Sequence, residues 1–257
     1  ELANGIKELA KGAISVGMDF ESGMSQVAAT MGMTTQEIAG GSEAYTKLEN
    51  AAKEAGNTTQ FSATQAAEAL NYMALAGYDA DKAVETLPTV LNLAAAGGMD
   101  LATASDMVTD SMSALGDKAG TTESFVDKMA KTSQKSNTSV QQLGEALLSV
   151  GGTAKSLAGG VTEANTVLGI FADSGTKGAE GGTALRNVIL SLTAPTDTAK
   201  KKMQELGLKV FDANGNMRPL NETFQDLNGI LGNMTQGEQT EVLNTIFNKV
   251  DLKSVNA

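Results

Sequence analysis

Three stretches of this chain hold residues whose type and spacing could do chemistry. Phe20-Glu21-Ser22 sets a carboxyl beside an aromatic ring, as the acid of a sugar-cleaving transglycosylase would be. Such an acid needs a water-excluded cleft that raises its pKa. Glu21 instead directly follows a residue of an apolar helical stripe, which favours a solvated helix face. Asp212-Ala213-Asn214-Gly215-Asn216 has the oxygen donors of a calcium loop. That loop needs Gly at its sixth position and a bidentate Glu at its twelfth, whereas Gly stands fourth here and Thr223 twelfth; a hairpin turn accounts for these residues. The Gly-rich run from Gly175 to Gly182 invites comparison with a phosphate-binding loop. It contains no Gly-Lys-Ser or Gly-Lys-Thr and follows no strand, so it reads as a turn leading into the helix that carries Arg186.

The remaining inventory narrows the chemistry further. The 257 residues include no Cys and no His, which removes disulfides, thiol chemistry and the common zinc sites and leaves only carboxylate metal sites open. No catalytic, cofactor-binding or metal residue is assigned, and no cofactor is expected. The formal net charge is −11 and arginine occurs only at Arg186 and Arg218. A phosphate-neutralising surface is therefore not expected, and the acidity reads as solubility. No signal peptide is recognisable and no apolar run nears the roughly 20 residues that span a bilayer. The chain starts without Met inside a helical pattern and ends at Val255-Asn256-Ala257 without a terminating signal, as expected of a piece of a longer polypeptide.

The elements that must position these residues are helical. Hydrophobic residues make up 41% of the chain but aromatics only 4%, with no Trp, so Ala, Leu, Val and Met must fill the interior. Close helix packing and modest stability follow. Leu2, Ile6, Leu9, Ala13, Val16 and Phe20 recur at alternating spacings of four and three, and after one stutter Met24, Val27 and Met31 continue the stripe. This is a heptad seam, suited to self-association or to docking on the domain's own core. A second helix is expected over about 42–55 with a stop at Gly56-Asn57, another over 121–135, one entered through Pro195 and running to Leu206, and two more over 221–233 and 236–250. Lys209 to Pro219, around Asn214-Gly215, is the one strand-like stretch and reads as a small β-hairpin.

A segment also occurs twice. Residues 62–115 lie over residues 139–192 without a gap, at a shift of 77 residues, matching Glu68-Ala69-Leu70 with Glu145-Ala146-Leu147 and Thr89-Val90-Leu91 with Thr166-Val167-Leu168. Each copy reads as three short helices parted by Gly turns. The expected architecture is all-α, a multi-helix domain with this internal repeat and the hairpin near 209–219. Its divisions are an N-terminal heptad helix at 1–34, a helical core at 35–206 holding both copies, and the hairpin with C-terminal helices at 207–257.

The run Gly178-Ala179-Glu180-Gly181-Gly182-Thr183-Ala184-Leu185-Arg186, with Pro195 nine residues on and Glu205-Leu206-Gly207 ahead of Val210-Phe211-Asp212-Ala213-Asn214-Gly215, resembles the core region of phage tail tape measure proteins. Phe61 to Leu70 with Ala76-Gly77, Asn92 to Ala96, Phe20-Glu21-Ser22 and Ile246-Phe247 are similar to the same family. The likeness covers essentially the whole chain. It departs from the family at Gly181, where Ala is usual, and after Phe247. Within this likeness Gly178, Gly182, Thr183, Leu185, Arg186 and Pro195 form the family's structural motif, and no catalytic residue is implied.

The resemblance implies a virion tail component, lying in the tail tube and made in the host cytoplasm. Its full length would set the length of the tube, and it would leave ahead of the genome on infection. It further implies a homo-oligomer, as a trimer, joined through Leu2, Ile6, Leu9, Ala13, Val16 and Phe20. The other implied partners are tube and tip proteins and assembly chaperones, with no direct nucleic-acid binding and membrane contact only during infection. Two alternatives stand beside this structural, non-enzymatic role. One is a membrane-active segment aiding genome passage, suggested by the Ala, Gly and Leu content of 91–104; the other is a wall hydrolase centred on Glu21.

Overall fold

A computed structural model describes residues 2–255, with side chains described throughout except at 2–13, 117–118 and 248–255. The architecture is all-α. No strand forms among the described residues, and the chain divides into two compact units, Glu1–Thr109 and Asp110–Ala257.

The first unit begins with α1 (Leu2–Thr30), followed by α2 (Thr35–Ala39), α3 (Glu43–Thr58), α4 (Ala63–Leu75) and α5 (Ala80–Gly97). Starts are written locally. Thr34 with Glu37 and Ser62 with Gln65 form reciprocal capping boxes, while Ser42 and Asp79 cap α3 and α5. The core is small-residue packing: Leu48 and Ala52 of α3, Ala66, Ala67, Ala69, Leu70 and Met73 of α4, and Ala83, Val90, Leu93 and Ala94 of α5 are sealed from solvent. Met24, Val27 and Ala28 of α1 are equally buried, and α1 lies along α4. The helix approach is close enough that a Cβ on Gly23 would lie 3.4 Å from the Ala67 Cβ.

One expected boundary moves. The stop at Gly56-Asn57 does not occur, because α3 continues to Thr58. A Cβ at Gly56 would stand 2.7 Å from the Ala63 nitrogen, so this glycine serves a close approach of α4 rather than a helix end.

In α6 (Leu101–Leu115) the chain passes from one unit to the other. The second unit continues with a 3-10 turn at Gly116–Ala119, α7 (Thr122–Lys135), α8 (Val140–Val150), a second 3-10 turn at Gly151–Ser156, α9 (Gly160–Asp173), α10 (Gly178–Thr193), α11 (Asp197–Leu206), α12 (Leu220–Leu231) and α13 (Gln236–Val255). Its centre is the pairing of α8 with α10; α9 lies against α7, α8 and α10, and α13 covers α10 and α11. Pro195 stands before the cap rather than in the first turn of α11. Thr196 takes the capping place, its hydroxyl accepting from the Ala199 N–H.

The expected hairpin is corrected. Between Lys209 and Pro219 a single antiparallel bridge joins Phe211 to Met217, and no strand extends from it. The reason is local: the Asp212 carboxylate accepts from the Asn214 and Asn216 N–H groups and folds the segment into a side-chain-held turn. The internal repeat is likewise unsupported as a folded unit. Its first copy, 62–115, crosses the division after Thr109, while its second, 139–192, lies wholly inside the second unit and contains a 3-10 turn, Gly151–Ser156, that has no counterpart in the first.

Candidate functional site

The Gly-rich run begins as the expected turn, with Gly175 at φ 87°, and leads into the helix that carries Arg186; that helix, α10, starts at Gly178, so the later glycines of the run are helical. Gly178 and Gly182 face α8. A Cβ on Gly182 would meet the Ala146 carbonyl oxygen at 2.0 Å and the Ser149 Cβ at 2.7 Å, so only glycine permits this crossing. A Cβ on Gly178 would lie 2.9 Å from a Glu145 carboxylate oxygen, and one on Gly181 3.1 Å from the Thr176 carbonyl oxygen. Leu185, Val188, Ile189 and Leu192 then fill the interior behind them. Of the remaining motif residues, Thr183 and Pro195 are half-buried and Arg186 is exposed. Sequence reasoning missed the other half of the crossing, Ala146 and Ser149. The signal was present in the Glu145-Ala146-Leu147 triplet, but nothing in one sequence says which helix a small residue faces.

The heptad residues fall into two groups. Leu2, Ile6, Leu9 and Ala13 lie on the α1 backbone, with side chains outside the described residues. Val16 is 64% exposed, and Ile14 and Met18 beside it are 63% and 65% exposed. From Phe20 onward the stripe docks on its own unit: Phe20 is half-buried with the Lys53 ammonium 5.6 Å from its ring centroid, and Met24 and Val27 are sealed.

The residues that could have done chemistry are placed for other tasks. Glu21 is exposed on α1. The Asp212 carboxyl is held below the usual carboxylate range, first by the Asn216 N–H and then by the Asn214 N–H, so it is committed to its own turn. Among the described residues no group of acidic side chains is arranged to hold a metal ion, and no helix is long and apolar enough to cross a membrane.

A sequence-family model, that of the phage-related minor tail protein, matches residues 49–248, from within α3 through the α8–α10 crossing into α13. The chain belongs to this family. It is 33% identical over 248 residues to the tape measure protein of Pneumococcus phage Dp-1, covering 96% of this chain and 21% of that protein. It is 27% identical over 233 residues to the probable tape measure protein of Escherichia phage P2, covering 90% of this chain and 28% of that one. The chain thus spans between a fifth and three tenths of these family members. No solved structure matches it significantly. Within the family match, the glycine-mediated crossing supplies a packing role, and no side-chain chemistry, for the motif around Gly182.

Proposed function

We propose that this chain is the folded core segment of a tail tape measure protein, a structural and non-enzymatic part of the virion tail. In that reading it acts in tail assembly and in setting tail length, lies within the tube, and leaves ahead of the genome. The observation that carries the proposal is the 33% identity to the Dp-1 tape measure protein across 96% of the chain. A chain of this size drawn out as one helix would measure roughly 385 Å at ~1.5 Å per residue, whereas folded into short helices it is a poor rod. It would therefore add to tail length only when extended. The test is an in-frame deletion of the segment in a phage that carries the full protein, read by electron microscopy. Tails shorter by up to about 385 Å support extension inside the tube. Unchanged length among intact tails rejects the length-setting part, and an absence of tails points to assembly alone.

The partners in this proposal are further copies of the chain, joined in parallel through α1, with tube, tip and chaperone proteins around them. Exposed Ile14, Val16 and Met18 favour a partner for that part of α1. Because the chain has no Cys, a Leu9→Cys variant is a clean probe. Parallel copies crosslink on oxidation and sediment as oligomers, with a trimer expected; an uncrosslinked monomer rejects the seam. The repeat belongs to the same proposal. At a shift of 77, helix starts at 63 and 101 fall on the starts at 140 and 178, the start at 80 falls three residues before the start at 160, and both first helices open with a Ser/Gln capping box. A crystal structure of the full protein in which these helices superpose at that shift would establish the repeat, and any other register would dismiss it.

A further inference from the structure

The start of α12 is capped from a distance. Pro219 stands at its N-cap and offers no side-chain acceptor, so the first N–H groups of the helix need a partner elsewhere. Glu163, 57 residues earlier on α9, provides one: its Oε1 accepts from the Leu220 N–H. Its other oxygen accepts from the Gly159 N–H at 2.8 Å, at the N-cap of α9, which likewise has no side-chain cap. One carboxylate therefore bridges two helix N-termini, where the aligned peptide dipoles favour negative charge.

Around this bridge the packing is open. A cleft of about 990 Å³ lies on one side, between α9 and α12, with Val167, Ile170, Phe224 and Leu243 in its walls. A second cleft, of about 950 Å³, lies on the other side, between the 3-10 turn with Lys155 and the Asp212 turn with Phe211. Ala158 and Pro219 border both and form the ridge between them, and the Glu163 bridge, with Gly159 and Leu220, lies next to that ridge in the wall of the first cleft. Arg218 joins the connector to α12 as one body, donating to the Lys209 carbonyl at 2.9 Å and pairing with Asp226 at 2.7 Å and Glu222 at 3.2 Å. The far end of α12 is held by α13. The Gln239 amide donates to the Leu231 carbonyl at 3.0 Å; one turn in from Leu220, at the other end, Phe224 stacks on Phe247 of α13 with centroids 6.0 Å apart, a contact that opening must loosen. The closed arrangement also keeps the Thr223 hydroxyl of α12 buried without a hydrogen-bond partner, and both polar atoms of the Asn165 amide on α9 likewise, which disfavours closure.

We propose that residues 208–231 form a strap that opens at the N-terminal end of α12, with the Glu163 carboxylate as its latch and the α13 end as its pivot. Opening joins the two clefts and frees Thr223 to be solvated. The strap stands on this geometry alone, whatever the longer protein does.

Hydrogen–deuterium exchange of the full chain tests it. Glu163→Ala removes both bonds, and amides of 210–231 should exchange at least tenfold faster while those around Leu147 and Leu185 in the α8–α10 pair keep their rates. Thr223→Val replaces the unpartnered hydroxyl with a methyl of similar shape and should slow exchange over 210–231 by several-fold. Unchanged exchange in the strap of Glu163→Ala overturns the latch. So does acceleration spread evenly over the unit, or failure of that variant to fold, because either makes Glu163 a support of the whole unit. A Thr223→Val protein whose strap exchanges at the wild-type rate or faster overturns the claim that closure is opposed by that hydroxyl.

Discussion

Single atoms decide most at the glycines. Gly182→Ala would place a methyl 2.0 Å from the Ala146 oxygen, a backbone atom that can yield only if the helices part. Overpacking of this kind costs about 1–3 kcal/mol or more, and a drop of that size in the urea unfolding free energy is expected. Gly229 is the contrast: it is exposed within α12 and nothing lies within 4 Å of its added methyl. Gly229→Ala should raise stability by about 0.5–1 kcal/mol through helix propensity. The two substitutions are chemically identical, so opposite signs in one denaturation series would assign the difference to the crossing. From sequence, Gly229 reads simply as a glycine in a helical stretch, and Gly182 as the end of a turn leading into a helix. Glycine clusters break helices more often than they seat them, and the close approach at Gly182 is invisible without the partner helix.

Titration belongs to the same scale. Glu37, Asp100 and Asp212 are held below the usual carboxylate range chiefly by backbone N–H donors at Thr34, Thr103 and Asn216, and Glu238 chiefly by the Thr235 hydroxyl. The ionised form is favoured by the fold, so the stability these groups give is complete above their ordinary values of 4.5 for Glu and 3.8 for Asp and is lost as pH falls through the lower folded values. Urea midpoints should be flat from pH 7 to about 5 and then decline. Asp100→Asn should make that decline shallower, and an unaltered decline would show that the Thr103 N–H does not act on this carboxylate.

Helices and their ends were the most legible level. The helix expected over 121–135 starts at that point, with Thr121 as its cap, because a capping signal lies within four residues of the helix it opens. Replacing Ser139 by Ala should destabilise the second unit by about 1 kcal/mol, with a comparable effect of Ser62→Ala on the first, each read by thermal melting. Less legible was where a helical stripe finds its partner. The α1 heptads run evenly through Phe20, yet Met24 and Val27 are sealed on α4 while Val16 faces solvent. Periodicity reports that an apolar face exists, and only the fold says which stretch of it is covered. The Lys209–Pro219 segment shows the same limit. Asn214-Gly215 signals a turn correctly, but the flanking residues have no sheet to join, so pairing stops at one bridge.

For the molecule as a whole, charge divides as the fold does. The first unit holds fourteen acidic and five basic residues and the second sixteen and fourteen. Like charges repel within Debye range, and salt screens them. Raising NaCl from about 0.05 to 0.5 M should therefore slow amide exchange in α3–α5 more than in α8–α10; equal responses would show that repulsion is not limiting in the first unit. Calorimetric unfolding is expected below about 65 °C, within the mesophile range. The buried core is dominated by Ala, Leu, Val and Met, with Phe61, Phe125, Phe171 and Phe247 as its phenylalanines.

The local caps carry a kinetic meaning as well. Thr34, Ser42, Ser62, Asp79, Thr121, Ser139 and Thr196 each start a helix with an instruction three residues long. A chain pulled straight loses every long-range contact but keeps those instructions. Once tension is released, helices of this size re-form in about a microsecond, long before distant surfaces meet again. Recovery from extension would then be limited by the docking of helices that already exist. The Glu163 bridge, whose two partners lie four and 57 residues away, would be among the last parts to return.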